Sequence, residues 1–287
     1  LISSVKRIAL CHDKKHEYEM AAQYYDLAYT MDSTDMNALG NLINIHLKIQ
    51  NYKKAIEISE EYIAKDSTNN MINLMNALGF YGIDEYEEAI PRFMRCYNNN
   101  DTSLIVNRSL GISLYSTDRN GEAIGYLENA FRQDSTNNNV LYCMAVTYAD
   151  QNRHKESLDC YLKLLTRITP KNMEMFLYHR NAANEYYNLE QYENALEYYK
   201  KSLAYGTEEQ NLKQYYAIAF LYRDELKNQK KSLEYLDLYT DGLHKSLKIL
   251  ENKEHKDQYD QRDIYDIKLS LKAAENAISQ MRPKASN

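Results

Sequence analysis

Small and apolar residues recur along the chain at fixed distances, in a pattern that repeats about every 34 residues. Each copy is marked by an anchor, which is a small residue followed by an apolar one, and in four of the seven copies an aromatic residue precedes the anchor by three positions. The first five anchors are 34 residues apart, and the last two follow after 38 and 37 residues. The anchors are Ala21, Ala55, Ala89, Ala123, Ser157, Ala195 and Ser232. Such a period is the signature of a repeat architecture.

Other positions recur in register with the anchor. Twelve residues before it stands a mostly small residue, such as Ala77 or Gly111, with Ile43 as an exception. Four residues after it stands a larger side chain, such as Phe93, with Ser59 as an exception. Positions 0, +4 and +7 lie on one face of a helix. Each copy is therefore predicted to be a pair of antiparallel helices whose small residues let them approach closely.

Polar turns close the copies. Three of them end in Asp-Ser-Thr, beginning at Asp32, Asp66 and Asp134, and the fifth ends at Thr169-Pro170. Short polar side chains accept hydrogen bonds from the free amides at a helix start. We expect these aspartates, serines and threonines to cap the helix that follows each of them.

This pattern resembles the tetratricopeptide repeat, a helix–turn–helix unit of 34 residues. The resemblance covers residues 2–240 and implies an all-α fold, a right-handed superhelical solenoid of about seven repeats with a C-terminal helical cap. The predicted units lie near 2–35, 36–69, 70–103, 104–137, 138–171, 176–209 and 212–240, and the cap spans 241–282.

The C-terminal segment carries a different pattern. An apolar stripe with alternating spacings of three and four runs along its last predicted helix, formed by Ile264, Ile267, Leu271, Ala274, Ile278 and Met281. Terminal repeats must shield an otherwise exposed core face, so a capping hairpin is one interpretation. A weak homodimer through this stripe is the alternative.

Composition narrows the function classes. The chain has 8 Gly and 3 Pro in 287 residues, which are too few turn formers for an all-β fold. It also has 28 Tyr, whose rings combine apolar surface with a polar hydroxyl. Its net charge of −6 argues against nucleic-acid binding. No apolar run is long enough to span a membrane. Because Leu1 already lies in a helical pattern, we expect that a preceding segment was removed, which leaves the cytoplasm and the periplasm or cell envelope open as compartments.

A search for catalytic or metal-binding patterns gives little. There is no phosphate-binding or dinucleotide-binding glycine pattern. His12 and His16 have a metal-ligand spacing, but His16 falls at a predicted turn. We expect no enzyme activity, no metal and no cofactor. The four cysteines fit buried free thiols, and a Cys143–Cys160 disulfide is an open alternative.

The resemblance implies that the first helices of successive units line a concave groove. Its predicted lining combines polar, aromatic and arginine side chains: Asn37, Asn44, Met71, Leu74, Tyr81, Arg108, Tyr115, Tyr142, Arg180, Asn184, Tyr187, Tyr216 and Arg223. Aromatic and arginine residues are the types that dominate protein interfaces. The resulting hypothesis is a non-catalytic scaffold that binds a peptide or protein segment with acidic groups.

Competing functions have specific requirements. A sensory solenoid for a small molecule or glycan would use converging polar groups, for which Asn37, Asn44 and Asn184 are the candidates. An RNA-binding repeat could stack bases on tyrosines, against the net charge. An acidic-tail clamp for chaperones is not expected, because Met71 and Met75 occupy the places where the resemblance implies basic residues.

Overall fold

The computed structural model describes residues 1–167, 172–253, 255 and 257–282, and every regular element in these ranges is a helix. The predicted all-α fold is confirmed. The described residues form fifteen α-helices, which are α1 (Ile2–Lys14), α2 (Tyr18–Met31), α3 (Met36–Lys48), α4 (Tyr52–Ile63), α5 (Asn70–Gly82), α6 (Tyr86–Asn98), α7 (Leu104–Ser116), α8 (Asn120–Gln133), α9 (Asn138–Asp150), α10 (His154–Arg167), α11 (Asn172–Asn188), α12 (Tyr192–Leu203), α13 (Glu208–Phe220), α14 (Gln229–Glu251) and α15 (Gln258–Met281). No helix in these ranges is long and apolar enough to cross a bilayer.

The first compact unit, Leu1–Gln151, contains four consecutive helical hairpins, formed by α1 to α8, and then helix α9. The small residues of the repeat pattern lie where paired helices cross, and Ala77 and Ala89 are both fully buried. At the crossing of α7 and α8, a Cβ atom on Gly111 would stand 2.9 Å from the Leu127 side chain. Small residues therefore set the distance between the paired helices.

The turn inside each hairpin has one conformation throughout the chain. The residue five positions before each anchor has a positive φ of 51–61°. These residues are His16, Gln50, Asp84, Asp118, Asn152, Glu190 and Lys227. A left-handed residue after a helix allows the next amides to reach back, as where the Asn51 amide donates to the His46 carbonyl at 2.8 Å.

The Asp-Ser-Thr turns work differently from the prediction. The Asp32 carboxylate accepts from the amide and hydroxyl of Thr34, inside the turn itself. The next helix is capped by the residue after the triplet. Asp35 accepts from the Ala38 amide at 3.1 Å, and Asn137 caps α9 in the same way. The capping prediction was thus wrong for the triplet, because a shorter Asx turn satisfies its aspartate locally. Thr169-Pro170 lies outside the described residues.

The second compact unit begins at Asn152 and contains α10 to α15. Its wider anchor spacings match longer first helices, because α11 has 17 residues and α13 runs into a π-helix at Leu221–Glu225. Helix α14 continues without a break through residue 240, where the repeat array was predicted to give way to the cap. The division of the chain into repeats and cap stays a prediction.

Helix α15 lies against α14 through the predicted apolar stripe. Its residues Leu271, Ala274 and Ile278 are buried, and the last two join Ala219 and Leu236 in one cluster. The stripe is therefore largely occupied inside the unit, and self-association through α15 stays a prediction without support from this packing.

Candidate partner-binding surface

The first helices of successive hairpins pack side by side in the first unit, since α3 contacts α5, α5 contacts α7 and α7 contacts α9. These helices carry eight of the residues that the sequence predicts to bind a partner, and we call this set the first-helix surface. It consists of Asn37, Asn44, Met71, Leu74, Tyr81, Arg108, Tyr115 and Tyr142.

Four of these residues form one aromatic and basic cluster. Burial raises the pKa of Tyr81, and the positive charge of nearby Arg108 opposes part of that rise. Burial also raises the pKa of Tyr115 to about 12, and Tyr142, with which it forms a hydrogen bond, adds to the shift. At neutral pH, Tyr81 and Tyr115 therefore offer neutral hydroxyl groups, and that of Tyr81 lies near a guanidinium ion.

Packing inside the hairpins holds the cluster in place. The ring of Tyr81 meets Tyr86 and Phe93 edge-on, with centroids 5.7 and 6.3 Å apart. The buried Cys143 also lies close to Tyr81 and Tyr115, and it was not among the predicted residues. Burial raises its thiol pKa to about 12, so it contributes a neutral group.

Asn37, Asn44, Met71 and Leu74 belong to helices α3 and α5, earlier on the same surface. Asn37 and Met71 are exposed, whereas Asn44 and Leu74 are half-buried. Helices α3 and α5 approach closely here, because a Cβ atom on Gly40 would lie 2.7 Å from the Met71 methyl group.

In the second unit, the candidate residues Asn184 and Arg180 make contacts with other side chains of the same unit. Asn184 accepts a 2.6 Å hydrogen bond from the Tyr199 hydroxyl. Arg180 donates to Asn181 at 3.1 Å and lies 5.7 Å from the centre of the Phe176 ring. These contacts use much of the polar capacity that the sequence assigned to binding. The participation of Tyr199 was missed because the repeat pattern explains it as a packing residue.

The remaining candidates lie on α11, α13 and the π-helix. Tyr187 is exposed, and its hydroxyl lies 3.5 Å from the Glu225 carboxylate. The ring of Tyr216 packs 4.3 Å from that of Phe220. Arg223 lies over the same Phe220 ring and is paired with Asp224 at 2.6 Å, so an internal carboxylate already neutralises its charge.

His12 and His16, the pair with a metal-ligand spacing, each contact a nearby side chain. His12 stacks on Tyr24 and contacts Glu17 at 2.5 Å, whereas His16, at the turn, contacts the Tyr18 hydroxyl at 2.8 Å. The described part of the chain holds no group of three or more potential metal ligands. All four cysteines are free thiols, so the alternative of a Cys143–Cys160 disulfide was wrong, and the prediction of burial was wrong for Cys11, which is exposed.

Comparisons with known proteins agree with the repeat pattern. The tetratricopeptide repeat family model matches residues 181–205, which run from the second half of α11 through α12. No curated protein matches the sequence.

Solved structures share the fold. A variant of MamA superposes with a TM-score of 0.51 and 21% identity, covering 58% of this chain and 97% of that one. MamA from Desulfovibrio magneticus RS-1 gives 0.52 and 13%, over 58% and 94%. YrrB, described as a TPR protein with an unusual peptide-binding site, gives 0.50 and 21%, over 59% and 87%. At these identities the likeness concerns the fold alone.

Proposed function

We propose that this chain, a tetratricopeptide repeat protein, is a non-catalytic scaffold that holds a segment of a partner protein on its first-helix surface. A repeat fold hosts many functions, so the proposal has to rest on specific side chains. YrrB, which shares the fold, is described as having a peptide-binding site, and this supports the general class of function.

The observation that carries the proposal is the environment of Arg108. Arg108 forms no ion pair within 4.0 Å among the described residues, and it acts on Tyr81 and Asp134 only through its electric field. It therefore differs from Arg223, which an adjacent carboxylate neutralises. A half-buried guanidinium without a close counter-ion, beside tyrosine hydroxyls, is suited to binding a carboxylate.

The surroundings of Arg108 also define the rest of the segment. Tyr81, Tyr115 and Tyr142 supply rigid rings whose ordering costs little entropy, and aromatic residues beside arginine are typical of interface hot spots. A suitable partner segment has one Asp or Glu to meet Arg108 and an apolar or aromatic residue to cover the rings. Other acidic segments without such a neighbour would bind less tightly.

Selection from a random library of displayed 12-residue peptides tests this proposal. We expect peptides that combine an acidic residue with an aromatic one. The dissociation constant of a selected peptide is then measured for wild type, for Arg108→Gln and for Arg132→Gln, which removes the same charge from an exposed site on α8.

Hydrogen bonds to charged groups contribute about 1.5–3 kcal/mol, so Arg108→Gln should weaken binding roughly 10- to 100-fold. The Arg132→Gln variant should bind like wild type. If the peptides carry no acidic preference, or if both variants bind equally well, the assignment of this surface is wrong.

A further inference from the structure

Three side chains depart from the repeat pattern in the second and third hairpins. Ser59 stands four residues after an anchor, where the other copies have Tyr, Phe or Leu. Arg92 stands three residues after an anchor, where the others have Tyr, Ile or Cys. Asn76 stands thirteen residues before one, where the others have Ile, Leu, Met or Ala. Ser59 and Asn76 place polar groups in the otherwise apolar hairpin core, and Arg92 places a charge at a half-buried position.

The three departures form one hydrogen-bonded chain across three helices. The amide of Asn76 on α5 donates to the Ser59 hydroxyl on α4 at 2.8 Å. The Arg92 guanidinium on α6 donates to the Asn76 carbonyl at 2.6 Å. Ser59 and Asn76 are fully buried. These three residues lie 16 or more positions apart in the sequence but meet at one place in the structure. We therefore treat them as one hydrogen-bonded network.

A cleft of about 390 Å³ opens over this chain of hydrogen bonds, between α4 and α6. This volume falls in the range of small-molecule sites. Ile63, Ala64 and Pro91 form an apolar wall, and Arg95 lies at the same opening. The cleft thus combines apolar surface with a few polar groups.

Two guanidinium groups line the cleft, and they differ in how many contacts each makes within the protein. Arg92 is held rigidly, since it lies 4.1 Å from the centre of the Phe80 ring and pairs with Glu88 at 2.8 Å and with Glu60 at 3.2 Å. Arg95 follows one helical turn later. Its one hydrogen bond among the described residues is a long contact of 3.5 Å to Asn73. Arg95 therefore has most of its donors available.

Glu60 shows what the cleft accepts. Its carboxylate comes from the neighbouring helix, lies in front of Arg92 and is about half exposed. A partly exposed ion pair contributes little to stability, so an anion can displace Glu60 while Asn76, Glu88 and the Phe80 ring still hold Arg92. The position in front of Arg92 is therefore one that an oxyanion can occupy.

We propose that this cleft binds a small organic anion. Its carboxylate or phosphate group binds Arg95 and displaces Glu60 from Arg92, and its apolar body covers Ile63, Ala64 and Pro91. Glu60 competes for the same position and weakens the binding. The site is separate from the first-helix surface, so neither proposal depends on the other.

Calorimetric titration with three probes of similar shape tests the site. Benzoate carries a carboxylate, phenyl phosphate carries a phosphate, and benzamide is uncharged. Affinities in the millimolar range are expected for ligands of this size, so the titrations extend to about 10 mM. At least one anion should bind and benzamide should not, and the tighter anion identifies the preferred group.

Two variants act in opposite directions, and this separates a binding site from an internal polar network. Arg95→Gln should weaken anion binding about tenfold or more, because it removes charge-assisted hydrogen bonds. Glu60→Gln removes the internal competitor and should strengthen binding several-fold. Arg132→Gln, an equal charge change on α8, should leave the affinity unchanged.

Far-UV circular dichroism of each variant confirms that the helices are intact. The proposal is overturned if neither anion binds to wild type, or if benzamide binds as well as the anions do. It is also overturned if Glu60→Gln fails to raise the affinity, or if Arg95→Gln behaves like Arg132→Gln.

Discussion

Gly111 and Gly125 provide a matched test of how closely the paired helices cross. Both lie inside helices of the fourth hairpin, Gly111 in α7 and Gly125 in α8. A Cβ atom on Gly111 would stand 2.9 Å from two carbons of Leu127 and 3.1 Å from its backbone nitrogen. A Cβ atom on Gly125 would meet nothing within 4 Å.

The two substitutions to alanine share one contribution and differ in another. In a helix interior, Gly→Ala is favourable by about 1 kcal/mol through helix propensity. Overpacking of a tight core costs about 1–3 kcal/mol, and the backbone of Leu127 cannot rotate away as a side-chain tip can. Gly125→Ala should therefore stabilise the protein by about 1 kcal/mol. Gly111→Ala should range from neutral to about 2 kcal/mol destabilising, as these two magnitudes combine.

The difference between the two variants is the informative quantity, because helix propensity cancels in it and leaves about 1–3 kcal/mol from the crossing. Thermal unfolding followed by circular dichroism measures this difference. Each kcal/mol corresponds to roughly 2–4 °C in a protein of this size class. Equal stabilisation by both substitutions would refute the claim that position −12 sets the helix separation.

Two further expectations concern the turns and the thiols. Gln50→Gly should stabilise the chain by about 0.5–1 kcal/mol, because φ at this turn is 58° and glycine adopts a left-handed conformation without strain. Urea unfolding measures the change in the free energy of unfolding. In the native protein at pH 8, a maleimide should label the exposed Cys11 and leave the three buried thiols unlabelled, because burial raises their pKa values to about 11 or 12. Mass spectrometry counts the labels. Rapid labelling of all four cysteines would contradict this burial.

The repeat pattern predicted the hairpins because their determinants are local. Small residues such as Ala77 and Ala89 recur at fixed offsets, and the helix-to-helix crossing follows from them. Turn chemistry was harder to predict. Asp32 could cap the next helix or close its own turn, and these two options differ by a few hydrogen bonds that sequence spacing does not distinguish.

The candidate surface could be predicted only in outline. Register placed Tyr81, Arg108 and Tyr115 on the first helices α5 and α7, and Arg108 lies close enough to Tyr81 to act on its pKa. Register did not distinguish Arg223, which Asp224 neutralises, from Arg108, which has no close counter-ion. Side-chain pairing depends on rotamers and on neighbours from other helices, and the repeat pattern does not specify either.

The same limit explains the cleft. Ser59 was visible in the sequence as an exception to the pattern, but one small residue in a repeat indicates no more than looser packing. The structure explains Ser59 through Asn76 and Arg92, which also depart from the pattern: Asn76 donates to Ser59, and Arg92 donates to Asn76. Buried polar groups are costly unless hydrogen-bonded, so three that satisfy one another beside an open cleft form a connected network. In a repeat protein, the positions shared by all copies build the hairpin. Binding specificity must then lie in the residues that differ between copies, and most of all where several differences converge.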